Sequence, residues 1–185
     1  MIVIAVVGAS NTGKTTTIEY LISNLGKEGF KIGSIKHIHR PDFTIDTQGK
    51  DTWRYAQAGA TVIMAIAAKE TAIIRKTDAP YKDLDQIMGL LNTDELDIVF
   101  IEGMHELVAG RKDIPKIVAS KNSEDLKKTL DLLSPPIIAI TGLITQKKTK
   151  IHHSNIPLID LQNEGKQLLE MVRQQIEHNK KKQFE

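Results

Sequence analysis

An α/β three-layer sandwich built on a mostly parallel sheet is the fold this sequence predicts, and three observations carry that reading. Short runs rich in β-branched residues recur along the chain, and helical or polar segments separate them. The runs are apolar at successive positions, as strands buried on both faces are. Aromatic residues make up only 4% of a composition that is 41% apolar, so the core is expected to be aliphatic. At 185 residues the chain has the usual size of one domain, and it reads as a single domain over 1–185.

Strands are expected at 2–7, 31–35, 62–67, 71–75, 97–101, 116–119, 137–141 and 158–161, where Val and Ile concentrate. The first helix carries Ile18, Leu21, Ile22 and Leu25 at spacings of three and four, which gives it one apolar face, and Gly26 or Gly29 is its expected stop. A C-terminal helix over about 164–180 repeats the stripe in Leu168, Leu169, Val172 and Ile176. Shorter helices are expected over 51–58, 84–91 and 124–132. The runs at 62–67 and 71–75 are close enough to pair across Ala68-Lys69-Glu70 as a hairpin, which would give the sheet one antiparallel member.

Charge and composition exclude several classes of function. A net charge of +2, with the one dense basic run at Lys180, Lys181 and Lys182 in an expected frayed tail, calls for no nucleic-acid partner. The chain has no Cys, so disulfides, thiolate metal sites and thiol redox chemistry are all excluded, and a reducing cytoplasm fits. Ile2-Val3-Ile4-Ala5-Val6-Val7 is too short to span a bilayer and lacks a basic flank, so no membrane partner is expected.

Chemistry enters at Gly8-Ala9-Ser10-Asn11-Thr12-Gly13-Lys14-Thr15, followed by Thr16. The pattern Gly-x-x-x-x-Gly-Lys-Thr falls between the first apolar strand and the first amphipathic helix, the setting a Walker A phosphate-binding loop requires. Glycines let the backbone wrap closely around phosphate oxygens, successive N–H groups point inward, and the helix dipole favours the anion. Lys14 is expected at the β- and γ-phosphates, the Thr15 hydroxyl on Mg²⁺, and Ser10, Asn11, Thr12 and Thr16 around the phosphates.

Such a site needs a carboxylate at the carboxyl end of a second buried strand. Asp97-Ile98-Val99-Phe100-Ile101-Glu102 offers two acids about 17 Å apart at strand rise. Only Glu102 lies at the sheet edge where ligands of open α/β sheets bind, so Glu102 is expected at the metal and Asp97 as a solvated strand start. The segment 36–52 emerges at the same edge and is dense in phosphate- and metal-binding groups. Asp46 or Asp51 could contact Mg²⁺, Lys36 and Lys50 could balance phosphate charge, and Arg54 follows on a short helix. His37 and His39 without Cys or a third nearby His make a poor zinc site. His105-Glu106 begins like a zincin helix but lacks the second His. Ser120-Lys121-Asn122-Ser123 stands where a guanine-reading motif would, yet lacks an acid in its fourth place.

Taken together these segments resemble the MobB family of molybdopterin-guanine dinucleotide biosynthesis. Its members join a Walker A motif to Lys-His after the second strand, then Asp-x-x-Gly-Lys-Asp-Ser/Thr, an Arg, Ala-Gly-Ala, and a strand ending in Glu-Gly. Here these are Lys36-His37, Asp46-Thr47-Gln48-Gly49-Lys50-Asp51-Thr52, Arg54, Ala58-Gly59-Ala60 and Glu102-Gly103, with Ile114-Pro115-Lys116 similar to the family's next segment. Over about 1–118 the ordered combination is specific where each piece is not. The resemblance implies a slow, Mg²⁺-dependent GTPase that binds GTP through the 8–16 segment, Lys36, His37, Lys50 and Asp51, with Lys14, Glu102 and Asp46 at the chemistry and Thr15, Glu102 and Asp46 at the metal. It further implies a homodimer that assists the nucleotidyltransferase MobA in attaching GMP to molybdopterin. Family members often carry an acid after the strand equivalent to 137–141, whereas this chain has Gly142. A metal-insertion GTPase and a small-molecule kinase with Lys147, Lys148 and Lys150 as its lid are the rival readings, and a binding-only scaffold is a third.

Overall fold

The computed structural model describes residues 1–77, 81–91, 95–146 and 155–182. Lys147, Lys148 and Lys150 lie outside the described residues, as does the end of the tail after residue 182. The backbone clusters into two compact units, Met1–His37 with Asp83–Glu185, and Ile38–Lys82. No Gly-, Pro- or Ser-rich linker marks this division in the sequence, which reads as one domain.

The first unit holds a five-stranded sheet in the order β2-β5-β1-β6-β7, formed by Ile2–Val7 (β1), Ile32–Lys36 (β2), Ile98–Glu102 (β5), Lys116–Ala119 (β6) and Ile137–Thr141 (β7). Every pairing is parallel. Strand β1 is central, and the chain leaves it once toward β5 and β2 and later toward β6 and β7. Its carboxyl end is therefore a topological switch point, where open α/β sheets bind ligands. The alternating positions Ile2, Ile4 and Val6 enter a core with Ile18, Leu21 and Leu25 of α1 (Lys14–Lys27) and Leu168, Val172 and Ile176 of α6 (Leu161–Lys182). On the opposite face of β1, Val3 is partly buried and Ala5 and Val7 are fully buried, and Leu84 of α3 (Leu84–Met88), Val108 of α4 (His105–Val108) and Leu126 of α5 (Ser123–Leu130) are buried as well. Strands covered on both faces read as unbroken apolar runs, which is why the sheet was visible in the sequence.

Several expectations need correction. The hairpin of Val62–Ile66 (β3) and Thr71–Arg75 (β4) forms, closed by Ala67 N–H donating to the Glu70 carbonyl at 2.8 Å, but it is a separate two-stranded sheet in the second unit. The expected strand at 158–161 shrinks to a single bridge between Ile140 and Leu158. Leu161 instead opens α6, because Asp160 caps that helix: its Oδ1 accepts Gln162 N–H at 3.1 Å while Glu164 Oε2 accepts Asp160 N–H at 3.0 Å. This reciprocal pair starts the helix three residues earlier than the apolar stripe suggests.

Nor does the far end of α6 fray at Lys180. Its ammonium lies 3.1 Å from Asp97 Oδ1 and 5.7 Å from the Phe30 ring centroid. Asp97, expected to be solvated, also accepts Lys31 N–H at 3.0 Å. These contacts, the Lys31 amide first, hold its carboxyl below the usual carboxylate range against the opposing effect of burial. With the folded value depressed, the stabilisation is complete above the unfolded carboxylate value and is lost as pH falls through the folded one. Asp97→Asn is expected to cost about 1 kcal/mol at neutral pH and to flatten the acid limb of stability against pH. Urea midpoints between pH 2 and 7 that run parallel to wild type would count against this assignment.

Among the described residues, no helix is long and apolar enough to cross a membrane.

Candidate functional site

The loop after β1 is shaped by close backbone approaches. Gly8 has φ +146°, and a Cβ there would lie 2.0 Å from the Ala119 carbonyl oxygen. Thr12 is fully buried and its hydroxyl donates to the Ala9 carbonyl at 3.0 Å, which braces the loop from inside. Asn11, at φ 59°, turns the loop, and Ser10, Asn11, Thr15 and Thr16 remain exposed.

Helix α1 begins at Lys14 with Gly13 as its N-cap. No side chain caps it, and its first turn carries no acid. The free N–H groups and the positive end of the helix dipole are therefore open to an anion. Thr17, one turn in, donates to the Gly13 carbonyl at 2.9 Å and meets Thr141 Oγ1 at 3.1 Å, tying the helix start to β7. Lys14 Nζ donates to the Ala9 carbonyl at 2.6 Å, folded back over its own loop. Burial lowers the basicity of Lys14, Glu102 raises it, and Lys36 lowers it again.

Glu102 is the last residue of β5, in register with Val6 on one side and Lys36 on the other. This brings it beside the loop after β1. Thr15 Oγ1 lies 3.1 Å from both carboxylate oxygens and donates to them. Lys36 Nζ donates to Glu102 Oε1 at 2.8 Å. His37 is anchored through its backbone N–H, which donates to the Glu102 carbonyl at 3.1 Å. A hydroxyl and a carboxylate at this separation fit a hard cation such as Mg²⁺, which takes one or two protein oxygens and fills its octahedron with phosphate oxygens and water. Among the described residues there is no group of three or more His, Asp or Glu that could hold a metal without such help.

One neighbour escaped the sequence reading. His105 follows Glu102 by three residues and opens α4, and its Nε2 lies 3.1 Å from the Gly8 carbonyl and 3.4 Å from the Gly8 amide. A protonated Nε2 donates to the carbonyl, while the other tautomer accepts from the amide. Its position just beyond the carboxyl end of β5 was the available signal, obscured by the comparison with zincin helices.

Beside the helix start, a cavity of about 160 Å³ is lined by Gly13, Thr16, Gly142, Leu143, Gln146 and Asp160. Gly142 has φ +96°, and a Cβ there would meet the Thr12 carbonyl oxygen at 2.2 Å. Glycine at that position is thus what lets the loop after β7 close on the loop after β1. Nearby, Asp125, two residues beyond the fourth place of Ser120-Lys121-Asn122-Ser123, turns back on that loop, where its Oδ2 accepts Ser120 Oγ–H at 3.0 Å and Lys121 N–H at 3.1 Å.

Asp46, Lys50, Asp51 and Arg54 belong to the second unit. There, Asp46 Oδ1 accepts Thr47 N–H at 2.9 Å and Thr52 Oγ1–H at 2.8 Å, and Thr52 lies in α2 (Asp51–Gln57). Asp46 Oδ2 is buried and lacks a hydrogen-bond partner among the described residues. Asp51 pairs with Arg54 at 3.4 Å, both well exposed.

Residues 3–143 match the family model MobB, described as molybdopterin guanine dinucleotide synthesis protein B. The chain belongs to the MobB family. Two relatives are provisionally described as molybdopterin-guanine dinucleotide biosynthesis adapter proteins. The one from Methanocaldococcus jannaschii is 37% identical over 124 residues, 67% of this chain and 49% of its own, so the chain spans about half the length of that relative. The one from Bacillus subtilis is 32% identical over 157 residues, 84% of this chain and 83% of its own. The crystal structure of Bacillus subtilis MobB superposes with a TM-score of 0.74 at 28% identity, over 95% of this chain and 98% of that one. The α/β architecture with its small antiparallel pair is thus the MobB fold.

Proposed function

We propose that this MobB-family chain binds GTP with Mg²⁺ at the 8–16 loop, hydrolyses it slowly, and acts as an accessory in attaching GMP to molybdopterin beside the nucleotidyltransferase MobA. The observation that carries the reading is the open start of α1, where the Thr15 hydroxyl donates to Glu102 and the Lys14 ammonium feels that carboxylate's charge. Lys14 supplies a partly desolvated ammonium for the phosphates. Thr15 and Glu102 would hold Mg²⁺, which when bound supplies Lewis-acid charge to the phosphate oxygens. His105 holds Gly8 in place. The cavity beside Gly13 and Thr16 offers a base Gln146 and the lone pairs that Asp160 keeps beyond its bonds to Gln162 N–H and Asn163 Nδ2–H, and a carboxylate acceptor suits the N–H edge of guanine. In the second unit, Asp46 Oδ2 is an acceptor that a ligand donor or cation can use.

Competition of GTP against ATP with Mg²⁺ present tests the base, and equal affinity for both would remove GTP from the reading. Glu102→Gln keeps the shape and loses the charge at the metal. It is expected to retain the fold and to weaken Mg²⁺-dependent GTP binding about tenfold or more. An unchanged Mg²⁺ dependence in calorimetry would remove Glu102 from the site.

The expected homodimer has support in the hairpin. Met64 and Ile73 are register partners, so with Val62 and Ile66 they lie on one face, and all four are exposed, Ile66 by 76%. A two-stranded sheet with a bare apolar face gains from covering it, and a second copy presents the same face. Ile73→Lys is expected to shift sedimentation from dimer to monomer. A monomeric wild type at micromolar concentration would rule the dimer out.

A further inference from the structure

The Lys36 ammonium touches both of the groups nominated to hold the metal. Lys36 ends β2 and Glu102 ends β5, and the two are register partners on adjacent parallel strands, so their side chains leave the same face of the sheet. Lys36 Nζ donates to Glu102 Oε1 at 2.8 Å and to Thr15 Oγ1 at 3.4 Å. Thr15 Oγ1 in turn donates to the same carboxylate at 3.1 Å, which closes a three-membered ring of contacts. The lysine side chain is 55% exposed and the glutamate 13%, so the cation is the partner that can leave without disturbing buried structure.

We infer that Lys36 is a built-in cation at the divalent-metal position, competing with the metal for Glu102 and released to a phosphate only when nucleotide arrives. The inference rests on the nucleotide reading proposed above. A carboxylate already neutralised by an ammonium at hydrogen-bond distance attracts a divalent ion less, because the ion must first displace that ammonium. The displaced lysine then stands near Lys14, a second ammonium that it already repels. A triphosphate supplies the negative charge that both lysines lack once the metal has taken Glu102. Metal and nucleotide therefore favour each other's binding, and by linkage the effect is equal in both directions. Lys36 also keeps Thr15 and Glu102 within reach of each other before either ligand is present.

The experiment is Mn²⁺ binding by electron paramagnetic resonance, without nucleotide, on the full chain as wild type, Lys36→Met and Lys36→Met/Glu102→Gln, with circular dichroism to establish folding. Lys36→Gln replaces Lys36→Met if the latter does not fold. Lys36→Met is expected to bind Mn²⁺ about tenfold more tightly than wild type, the size expected for removing one partly screened charge contact, and the double variant is expected to lose that gain. Equal or weaker Mn²⁺ binding in folded Lys36→Met, a gain that survives Glu102→Gln, or no binding by any variant at millimolar Mn²⁺ each overturns the inference. A parallel titration with fluorescent GTP, with Mg²⁺ and with chelator, separates the two readings. If Lys36→Met shows the Mn²⁺ gain while no variant binds GTP, the nucleotide reading falls and the competition at Glu102 stands.

Discussion

Lys14→Ala is expected to lose on the order of a hundredfold or more in GTP affinity while remaining folded. The Lys14 ammonium lies beside the open N-terminus of α1, partly desolvated, and donates to the Ala9 carbonyl at 2.6 Å. A phosphate offers it a charged acceptor in place of a neutral one, and charge-assisted bonds of this kind are about twice as strong. Truncating one partner of such a pair costs about 2–5 kcal/mol, which brackets a hundredfold in affinity. The Ala9 carbonyl lies in the loop and can turn to water, so the fold itself loses little. Isothermal titration with GTP and Mg²⁺ measures the effect. Affinity within threefold of wild type in a folded variant would remove the 8–15 loop as the phosphate site.

The second large effect comes from one methyl group. Gly142→Ala places a Cβ 2.2 Å from the Thr12 carbonyl oxygen, 2.8 Å from that of Ser120 and 2.9 Å from the Ser120 nitrogen, at a φ of +96°. All three neighbours are backbone atoms, so no side chain can swing away. Both the loop after β1 and the loop after β6 must move, and Thr12 at their junction is fully buried. Overpacking together with left-handed strain is expected to cost about 3–5 kcal/mol and to weaken nucleotide binding with it. Gly26→Ala is the contrasting control. A Cβ at Gly26, within α1, meets nothing within 4 Å, and the substitution is expected to raise stability by about 0.5–1 kcal/mol. Urea denaturation of both variants checks the opposite signs. A Gly142→Ala protein within 1 kcal/mol of wild type would mean that the two loops do not close on each other as described.

Gly142 also shows where sequence reading ran short. As a residue after a strand it looked like a missing acid, because a glycine gives no hint of what approaches it. The approach comes from Thr12 and Ser120, distant in the chain, and is visible only in three dimensions. His105 shares that difficulty besides its false likeness to a zincin helix: its partner, Gly8, is 97 residues away. Lys36 was legible as a charge near the site. Its contact with Glu102 was not, since that depends on β2 and β5 being neighbours although 66 positions separate the residues. Asp97 and Lys180 looked like two solvated charges, one at a strand start and one at a helix end, until the fold brought them together.

What the sequence determined by itself is the part of the protein whose physics is local. Apolar runs covered on both faces specify the sheet strands, stripes at spacings of three and four specify α1 and α6, and eight consecutive residues, 8–15, carry their own backbone turn, lysine and hydroxyl. Glu102 was within reach too, because a strand has a direction and its carboxyl end is known once the strand is. Tertiary structure decided the rest. The hairpin became a separate sheet because strand partners are chosen by contact and burial, which a run of β-branched residues does not encode. The chain divided into two compact units with no change of composition at 38 or 82 to announce it. The 8–15 loop could be read from the sequence alone, but its surroundings, with Lys36 and Glu102 in contact, His105 against Gly8 and Gly142 packed on Thr12, are long-range approaches that only the fold creates.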